Sequence, residues 1–402
     1  MAERFRSLDV FRGATVALMI LVNNPGSWSA LYPPLTHAPW HGCTPTDLVF
    51  PFFLFAVGNA LALVMPGLQA AGPAVFWPRV LKRTALIFAI GLLLNAAPFV
   101  VWSAQGELAL RDWHTLRWMG VLQRIALCFG LAAAVVWCLG RAHGHRGHDH
   151  PPAHGAAGPL WASAVLLVGY AATCHLLGAP GDPFSLQGWF GTAVDKQLLG
   201  AAHLYRGEGV PFDPEGLAST APAVAQVLLG WWVGSRLVGR RLDAQAVASL
   251  CLWGVALLVA GYLWQLDVPL NKKIWTSSYV LHTTGLAMLA LAVCIQVIEI
   301  RQRPKEMRGW VRFFEVFGRN PLFIFVLSGL VPRFLGMVRW QIGVDPQGTA
   351  IWTTPLPWLY QAAFVPLVSD PRLASLAFAC VNVGAYAALA FWMDRRGLHF
   401  RV

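Results

Sequence analysis

Long runs of apolar residues recur along the whole chain and are separated by short polar or basic segments. A run of about 20 apolar residues can cross a hydrocarbon core of roughly 30 Å as a helix. The pattern predicts an all-α, polytopic transmembrane helix bundle of about 10–11 spans. We place ten spans near residues 8–23, 46–65, 82–102, 118–139, 160–178, 218–238, 244–264, 275–297, 319–339 and 373–393. An eleventh apolar piece, 350–368, is interrupted by prolines and fits a re-entrant or interfacial segment as well.

The composition excludes a soluble globule. Hydrophobic residues make up 56% of the chain and charged residues 12%, with a mean hydropathy of +0.54; an average soluble domain has about 25% charged residues. We therefore predict one membrane domain over residues 1–402, with spans 1–4 at 8–139 and spans 5–10 at 160–393. The segment 141–158 between them contains five histidines among Gly and Pro, which predicts a flexible cytoplasmic linker and no specific metal site.

Basic residues predict the orientation in the membrane. They gather at the N-terminus, beside spans 3, 6 and 8, and in the tail, and all these ends fall on one side if the chain crosses ten times. Because Lys and Arg are enriched in cytoplasmic loops, we expect both termini in the cytoplasm. The net charge of +11 is then a topology signal, and we expect no nucleic-acid partner. The first apolar run carries Asp9, Arg12 and Asn23, so we expect it to remain as span 1.

A polar patch separates the first two spans, on the predicted outer side. It contains three amide or carboxylate side chains and three ring side chains: Asn23, Asn24, His37, Trp40, His41 and Asp47. Polar groups at membrane depth are costly and usually mark a substrate path or a reaction centre. The patch is therefore the predicted functional site.

Three further polar groups lie in or beside spans. Gln123 and Arg124 lie in span 4, and Arg319 and Asn320 lie at the start of span 9. Each arginine is compatible with snorkelling or with a carboxylate partner, and equally with a contact to phosphate, which suits a guanidinium. Residues 269–279, which include Lys272 and Trp275, open span 8 and fit either an interfacial anchor or a substrate contact.

Several of these strings together resemble one known family. They are Arg6-Ser7-Leu8-Asp9-Val10-Phe11-Arg12-Gly13, the polar patch, Gly120-Val121-Leu122-Gln123-Arg124, Asn271-Lys272-Lys273-Ile274-Trp275-Thr276-Ser277-Ser278 and Gly318-Arg319-Asn320-Pro321-Leu322. The order and content of these strings resemble the motifs of one catalytic membrane domain, that of heparan-α-glucosaminide N-acetyltransferase and its bacterial homologues. This family belongs to the transmembrane acyltransferases.

The resemblance implies an acetyl-CoA-dependent N-acetyltransferase. Such an enzyme moves an acetyl group from cytosolic acetyl-CoA to the amine of an amino sugar, a glucosamine-type glycan, at the outer face. It implies that His37 is the catalytic histidine, with Asn23 and Asp47 as its asparagine and carboxylate. A bacterial homologue would lie in the inner (cytoplasmic) membrane.

Residue chemistry supplies a role for each candidate. Histidine has an ordinary pKa of about 6.5 and suits a general base. A carboxamide such as that of Asn23 can stabilise an oxyanion, and Asp47 can orient the imidazole. For acetyl-CoA we predict contacts from one set of residues: Gln123, Arg124, Arg319 and Asn320. For the acceptor we predict contacts from another: Asn24, Trp40, His41, Lys272 and Trp275.

Several alternatives stay open at this point. Direct transfer and an acetyl-histidine intermediate both fit the residue types. A transporter or flippase of a sugar or glycan could use His37 and Asp47 as a proton relay, and a non-catalytic scaffold is a third class. The sequence leaves open the exact acceptor, N- against O-acetylation and the presence of a homodimer.

Overall fold

A computed structural model describes residues 5–103, 106–141, 157–240, 242–301 and 308–400. The predicted linker falls mostly on residues 142–156, outside the described residues. The helices are α1 (Arg6–Asn23), α2 (Val49–Ala70), α3 (Pro73–Ala96), α4 (Val121–Arg141), α5 (Ala157–Leu177), α6 (Gly191–Leu199), α7 (Thr220–Leu237), α8 (Ala244–Trp264), α9 (Ser277–Ile295), α10 (Arg308–Arg319), α11 (Pro321–Leu335), α12 (Pro355–Leu359) and α13 (Pro371–Arg395). Two antiparallel hairpins pair β1 (Val100–Trp102) with β2 (Leu108–Leu110) and β3 (Trp340–Val344) with β4 (Ala350–Thr353).

The prediction of a polytopic helical membrane protein is confirmed. A helix covers most of each of the ten predicted spans. Six helices are long and apolar enough to cross a membrane by themselves: Pro45–Ala70, Val121–Leu139, Ala157–Leu177, Ala244–Trp264, Ser277–Ile300 and Pro371–Arg395. Gly309–Arg319 and Pro321–Leu335 make a seventh if the pair, which is bent by 81°, counts as one broken span.

The remaining predicted spans, α1, α3 and α7, are also helices, but they are not among those that are long and apolar enough to cross a membrane by themselves. Charged residues interrupt two of them, with Asp9 and Arg12 in α1 and Lys82 and Arg83 in α3. In contrast, α7 is enclosed by other helices, and nearly all of its side chains are buried. A helix that is apolar on all sides is expected in the middle of a bundle.

Several segments differ in detail from the predicted pattern. The apolar piece 350–368 divides into β4, the short helix α12 and a π-helical turn at Tyr360–Phe364, because its prolines prevent a continuous helix. The third helix begins at Pro73, after Gly72, and ends before Pro98. The sequence pattern did not predict α6, α10 or the two hairpins, which are short or strongly amphipathic.

The largest core cluster lies between α2, α4, α7 and α9. It includes Phe55, Ala132, Leu228 and Met288, which are all 1% exposed or less. The segment after α1, the loop between α5 and α6 and the loop before α9 meet at one end of this bundle: Gly42 N donates to Leu270 O at 2.7 Å, and Trp40 Nε1 donates to Phe184 O at 2.9 Å. This end carries the candidate site.

Candidate active site

Asp47 is held by the turn that starts the second long helix. Residues Pro45–Leu48 form a 3₁₀ turn that continues into α2, and Thr44 caps it. Both the amide and the hydroxyl of Thr44 donate to Asp47 Oδ2 at 3.0 Å, and Ala38 N donates to the same oxygen at 3.1 Å. The side chain of Asp47 is 1% exposed. The protein therefore fixes one carboxylate oxygen and leaves the other, Oδ1, for a different partner.

That partner is His37. Its Nδ1 lies 2.7 Å from Asp47 Oδ1, and its side chain is 49% exposed. Because the buried carboxylate accepts a hydrogen bond, Nδ1 carries the proton and Nε2 is the basic nitrogen of the neutral ring. The predicted pairing of histidine and carboxylate therefore occurs in the structure, with one edge of the imidazole anchored and the ring open to solvent.

Lys272 joins this pair from the loop before α9. Its Nζ lies 3.1 Å from His37 Nδ1, 3.4 Å from His37 Nε2 and 3.4 Å from Asp47 Oδ1. We predicted Lys272 as an acceptor contact, and sequence reasoning missed its position against the histidine and the carboxylate. The only signal was the string Asn271-Lys272-Lys273 on the same side of the membrane.

The neighbouring candidates His41 and Trp40 connect the segment after α1 to the loop before α9. His41 Nδ1 lies 3.3 Å from Asn271 Nδ2, and Asn271 Oδ1 accepts from Ile274 N at 3.1 Å. The ammonium of Lys273 lies 5.7 Å from the centre of the Trp40 ring. His41 is exposed and Trp40 is partly buried.

Arg124 and Trp275 lie deeper at the same end. Trp275 is 1% exposed, and its ring centre is 5.4 Å from Arg124 Cζ. Arg124 is 0% exposed, and its Nη2 donates to Gly216 O at 2.8 Å and to Ser219 Oγ. Within the part of the chain that the structure describes, Arg124 Nε and Nη1 and Gln123 Nε2 have no hydrogen-bond partner. Buried donors without a partner are costly, so this group of donors suits a polar ligand.

Arg319 and Asn320 lie at the opposite end. Arg319 contacts two carboxylates, Glu315 Oε1 at 2.7 Å and Asp394, which corresponds to the carboxylate-partner alternative. The amide of Asn320 donates to Leu398 O at 3.0 Å and accepts from Phe400 N at 2.9 Å. These contacts attach the C-terminal residues to the start of α11. A role of Arg319 and Asn320 toward acetyl-CoA stays a prediction.

The two asparagines at the end of α1 are separate from the His37–Asp47 pair. Asn24 Nδ2 donates to Ile20 O at 3.0 Å and so caps the helix. Asn23 is exposed, and its side chain makes no hydrogen bond to the described chain. The catalytic role of Asn23 stays a prediction. Among the described residues, which exclude the histidine-rich segment 142–156, no three His, Cys, Asp or Glu side chains lie together in a way that could hold a metal ion.

Comparisons with known proteins agree with the motifs. Residues 4–140, which include His37, Asp47 and Arg124, match the family profile described as "Heparan-alpha-glucosaminide N-acetyltransferase, catalytic". The human protein named heparan-alpha-glucosaminide N-acetyltransferase is 26% identical over 344 residues, which is 74% of this chain and 49% of that protein. The mouse protein of the same name is 26% identical over 342 residues, 75% of this chain and 50% of that protein.

The chain therefore spans about half the length of the curated relatives it matches. The resemblance predicted from the sequence strings is confirmed, and the chain carries a catalytic domain similar to that of these proteins.

Proposed function

We propose that this chain is a membrane N-acetyltransferase that moves an acetyl group from cytosolic acetyl-CoA to the amine of an amino sugar at the outer face of a bacterial inner membrane. One observation carries the proposal: a buried carboxylate, Asp47, lies 2.7 Å from a half-exposed imidazole, His37, inside the segment that matches the catalytic family. The single membrane domain crosses the bilayer ten times, with both termini in the cytoplasm.

The proposed chemistry assigns the proton to His37. The neutral acceptor amine attacks the thioester carbonyl, and Nε2 of His37 takes the proton that the nitrogen loses. The C–S bond then breaks, and the CoA sulfur leaves with the proton that His37 returns. Asp47 keeps the ring oriented and stabilises its protonated form, while Asn23 donates to the oxyanion. We favour direct transfer over an acetyl-histidine intermediate.

The unpaired donors around Arg124 support a binding role for this part of the bundle. Arg124 is fully buried, and the hydrogen bonds of its Nη2 go to the uncharged groups Gly216 O and Ser219 Oγ. Polar atoms of acetyl-CoA would satisfy Arg124 Nε and Nη1 and Gln123 Nε2. In the same proposal the nucleotide end lies toward Arg319 and Asn320. The acceptor contacts are the remaining residues: Asn24, Trp40, His41, Lys272 and Trp275.

The test compares four forms of the purified full chain with labelled acetyl-CoA and glucosamine: wild type, two site variants and one control. Wild type should form acetylated sugar and free CoA, and His37→Ala should lose about 10²–10⁴-fold in rate, the usual effect of removing a general base. Asp47→Asn should be impaired less, because it orients the base. His175→Ala is the matched control, since His175 also contacts an aspartate, Asp267 at 3.2 Å, but at an exposed position.

A binding measurement separates chemistry from folding. Acetyl-CoA should raise the melting temperature of wild type and of His37→Ala, because a ligand of the native state stabilises it.

Mass spectrometry without an acceptor tests whether transfer is direct. A mass increase of about 42 Da in wild type that is absent from His37→Ala would indicate an acetyl-histidine intermediate. Near wild-type turnover of folded His37→Ala would contradict the site. Sugar flux without consumption of acetyl-CoA would instead indicate a transporter.

A further inference from the structure

Lys272 shares its negative partner with His37. The ammonium nitrogen and the imidazole Nδ1 both approach Asp47 Oδ1, at 3.4 and 2.7 Å, and they lie 3.1 Å from each other. The other oxygen of Asp47 is taken by Thr44 and Ala38. The side chain of Lys272 is 19% exposed, so solvent reaches it only in part.

Two cations, Lys272 and a protonated His37, would approach one oxygen of Asp47, and the other acidic groups nearby are neutral or already paired. Burial raises the pKa of Cys43 to about 12, so this neighbour is a neutral thiol at ordinary pH. Burial by itself would raise the pKa of Glu215, but the charges of Arg117 and Arg124 lower it, and its carboxylate is already occupied by Arg117. Lys272 and a protonated His37 would therefore share Asp47 as their ion-pair partner, while Glu215 adds a weaker attraction for Lys272.

The adjacent lysine has a different partner. Lys273 Nζ donates to Glu208 Oε2 at 2.8 Å and to Pro39 O at 2.7 Å. Burial lowers the pKa of Lys272, and the carboxylates of Asp47 and Glu215 oppose that shift. The two neighbouring lysines thus differ in whether they face the histidine, which makes Lys273 a matched control.

We propose that Lys272 is a positioning residue for acetyl transfer: its ammonium holds Asp47 Oδ1 and, by like-charge repulsion at 3.1 Å, disfavours the protonated form of His37. This inference rests on the proposed function, in which His37 must be unprotonated to accept a proton. Two unit charges this close interact measurably even in bulk water. Removing the charge should therefore make the protonated imidazole persist to higher pH.

The first measurement is kcat/KM as a function of pH. Lys272→Met and Lys272→Gln should move the midpoint of the acidic limb upward by about one pH unit. The activity that they lose near neutral pH should return in part at higher pH. Lys272→Arg, which keeps the charge, and Lys273→Met should keep the wild-type midpoint. The glutamine variant is included because it can still donate to Asp47.

The second measurement does not depend on acetyl-CoA. A histidine ring reacts with diethyl pyrocarbonate only in its unprotonated form. The rate of His37 modification, measured as a function of pH, therefore reports the protonation of that ring. Peptide fragmentation separates His37 from His41, which contacts Asn271 and serves as an internal reference. In both neutral Lys272 variants, the midpoint at His37 should rise and the midpoint at His41 should stay.

The two readouts distinguish the possible failures. If diethyl pyrocarbonate modifies His37 of the wild-type protein as expected but the protein transfers no acetyl group, the proposed function is wrong. The pH profile of the modification still tests the role of Lys272. A reagent profile at His37 that is unchanged in both neutral variants would overturn the inference, whether activity is retained or is lost equally at every pH. In the latter case Lys272 would be an acceptor contact only.

Discussion

A half-exposed histidine and a buried aspartate share a 2.7 Å contact at the candidate site. The asymmetry matters, because Thr44 and Ala38 fix the Oδ2 atom of Asp47 while the His37 ring on Oδ1 stays open to a substrate. The polar patch between the first two spans, the chemistry of its residue types and the family resemblance predicted the pair from the sequence. Lys272, which joins the pair, lies on a loop more than 200 residues away in the sequence, so its position could not be predicted in the same way.

A second buried carboxylate at this end, Asp195 on α6, has fewer partners. Asp195 is 1% exposed; its Oδ1 accepts from Ala218 N at 3.0 Å, and its Oδ2 has no hydrogen-bond partner among the described residues. Burial raises the pKa of Asp195 from 3.8 to about 6. The native state therefore holds this proton at a pH where the unfolded chain has released it.

The sign of the resulting pH effect follows from linkage. Because the native pKa of Asp195 is above the unfolded value, its contribution to stability is greatest below about pH 4 and is lost as pH rises through about 6. Asp195→Asn should remove this loss and raise the free energy of unfolding at pH 7.5, by on the order of 2–3 kcal/mol, with little change at pH 4. Melting temperatures at pH 4 and pH 7.5 measure this change in stability, and Asp182→Asn, at an exposed position, is the control. Equal shifts for both variants at pH 7.5 would contradict the assignment.

At the scale of elements, α1 and α10 pack closely at two glycines. A Cβ atom on Gly318 would lie 1.8 Å from Asp9 O, and one on Gly13 would lie 1.7 Å from Phe314 O. The same contact carries an ion pair, since Glu315 on α10 pairs with Arg6 on α1 at 3.0 Å. The glycines therefore bring the two backbones near enough for these side chains to meet.

The glycine contact can be tested with a matched pair on one helix. Gly318→Ala should lower the free energy of unfolding by about 1–3 kcal/mol or more, because the facing atom is backbone and has little freedom to move. Gly309→Ala adds a methyl group where nothing lies within 4 Å, so it should be neutral or slightly stabilising. Thermal unfolding in one detergent compares them. Equal stability of the two variants would show that the close approach is unimportant.

At the scale of the whole molecule, the two ends of the bundle differ in chemistry. One end carries His37, Asp47 and Lys272, and the other carries ion pairs among Arg6, Glu315, Arg312, Arg319 and Asp394. The basic residues of the sequence concentrate at the second end and in its loops. By the enrichment of Lys and Arg in cytoplasmic loops, the ion-pair end should face the cytoplasm.

Reporter fusions to the full chain test this orientation. A fluorescent protein that folds only in the cytoplasm should fluoresce when fused at His148 or at the C-terminus, and alkaline phosphatase should be inactive at both. At Gly209, in the loop before α7, the two reporters should behave in the opposite way. Active phosphatase at His148 would reverse the orientation and place His37 on the cytoplasmic side.

The helical architecture could largely be predicted from the sequence, because the signal for a membrane helix is local. Each long apolar run contains enough residues to form its own span, and α8 occupies the predicted residues 244–264. Short or amphipathic elements such as α6 and α10 lack that signal. Their positions depend on what they pack against.

The sequence by itself determined the membrane class, the resemblance to the acetyltransferase family, and the His37–Asp47 pair, whose members lie on one short segment. Only the tertiary structure decided which distant groups meet. It placed Lys272 against that pair, buried Arg124 with unpaired donors, and paired Arg319 with Asp394 on another helix. The reason is physical: these contacts join residues from separate helices and loops, so they are set by how the helices pack and not by the residues next to them in the chain.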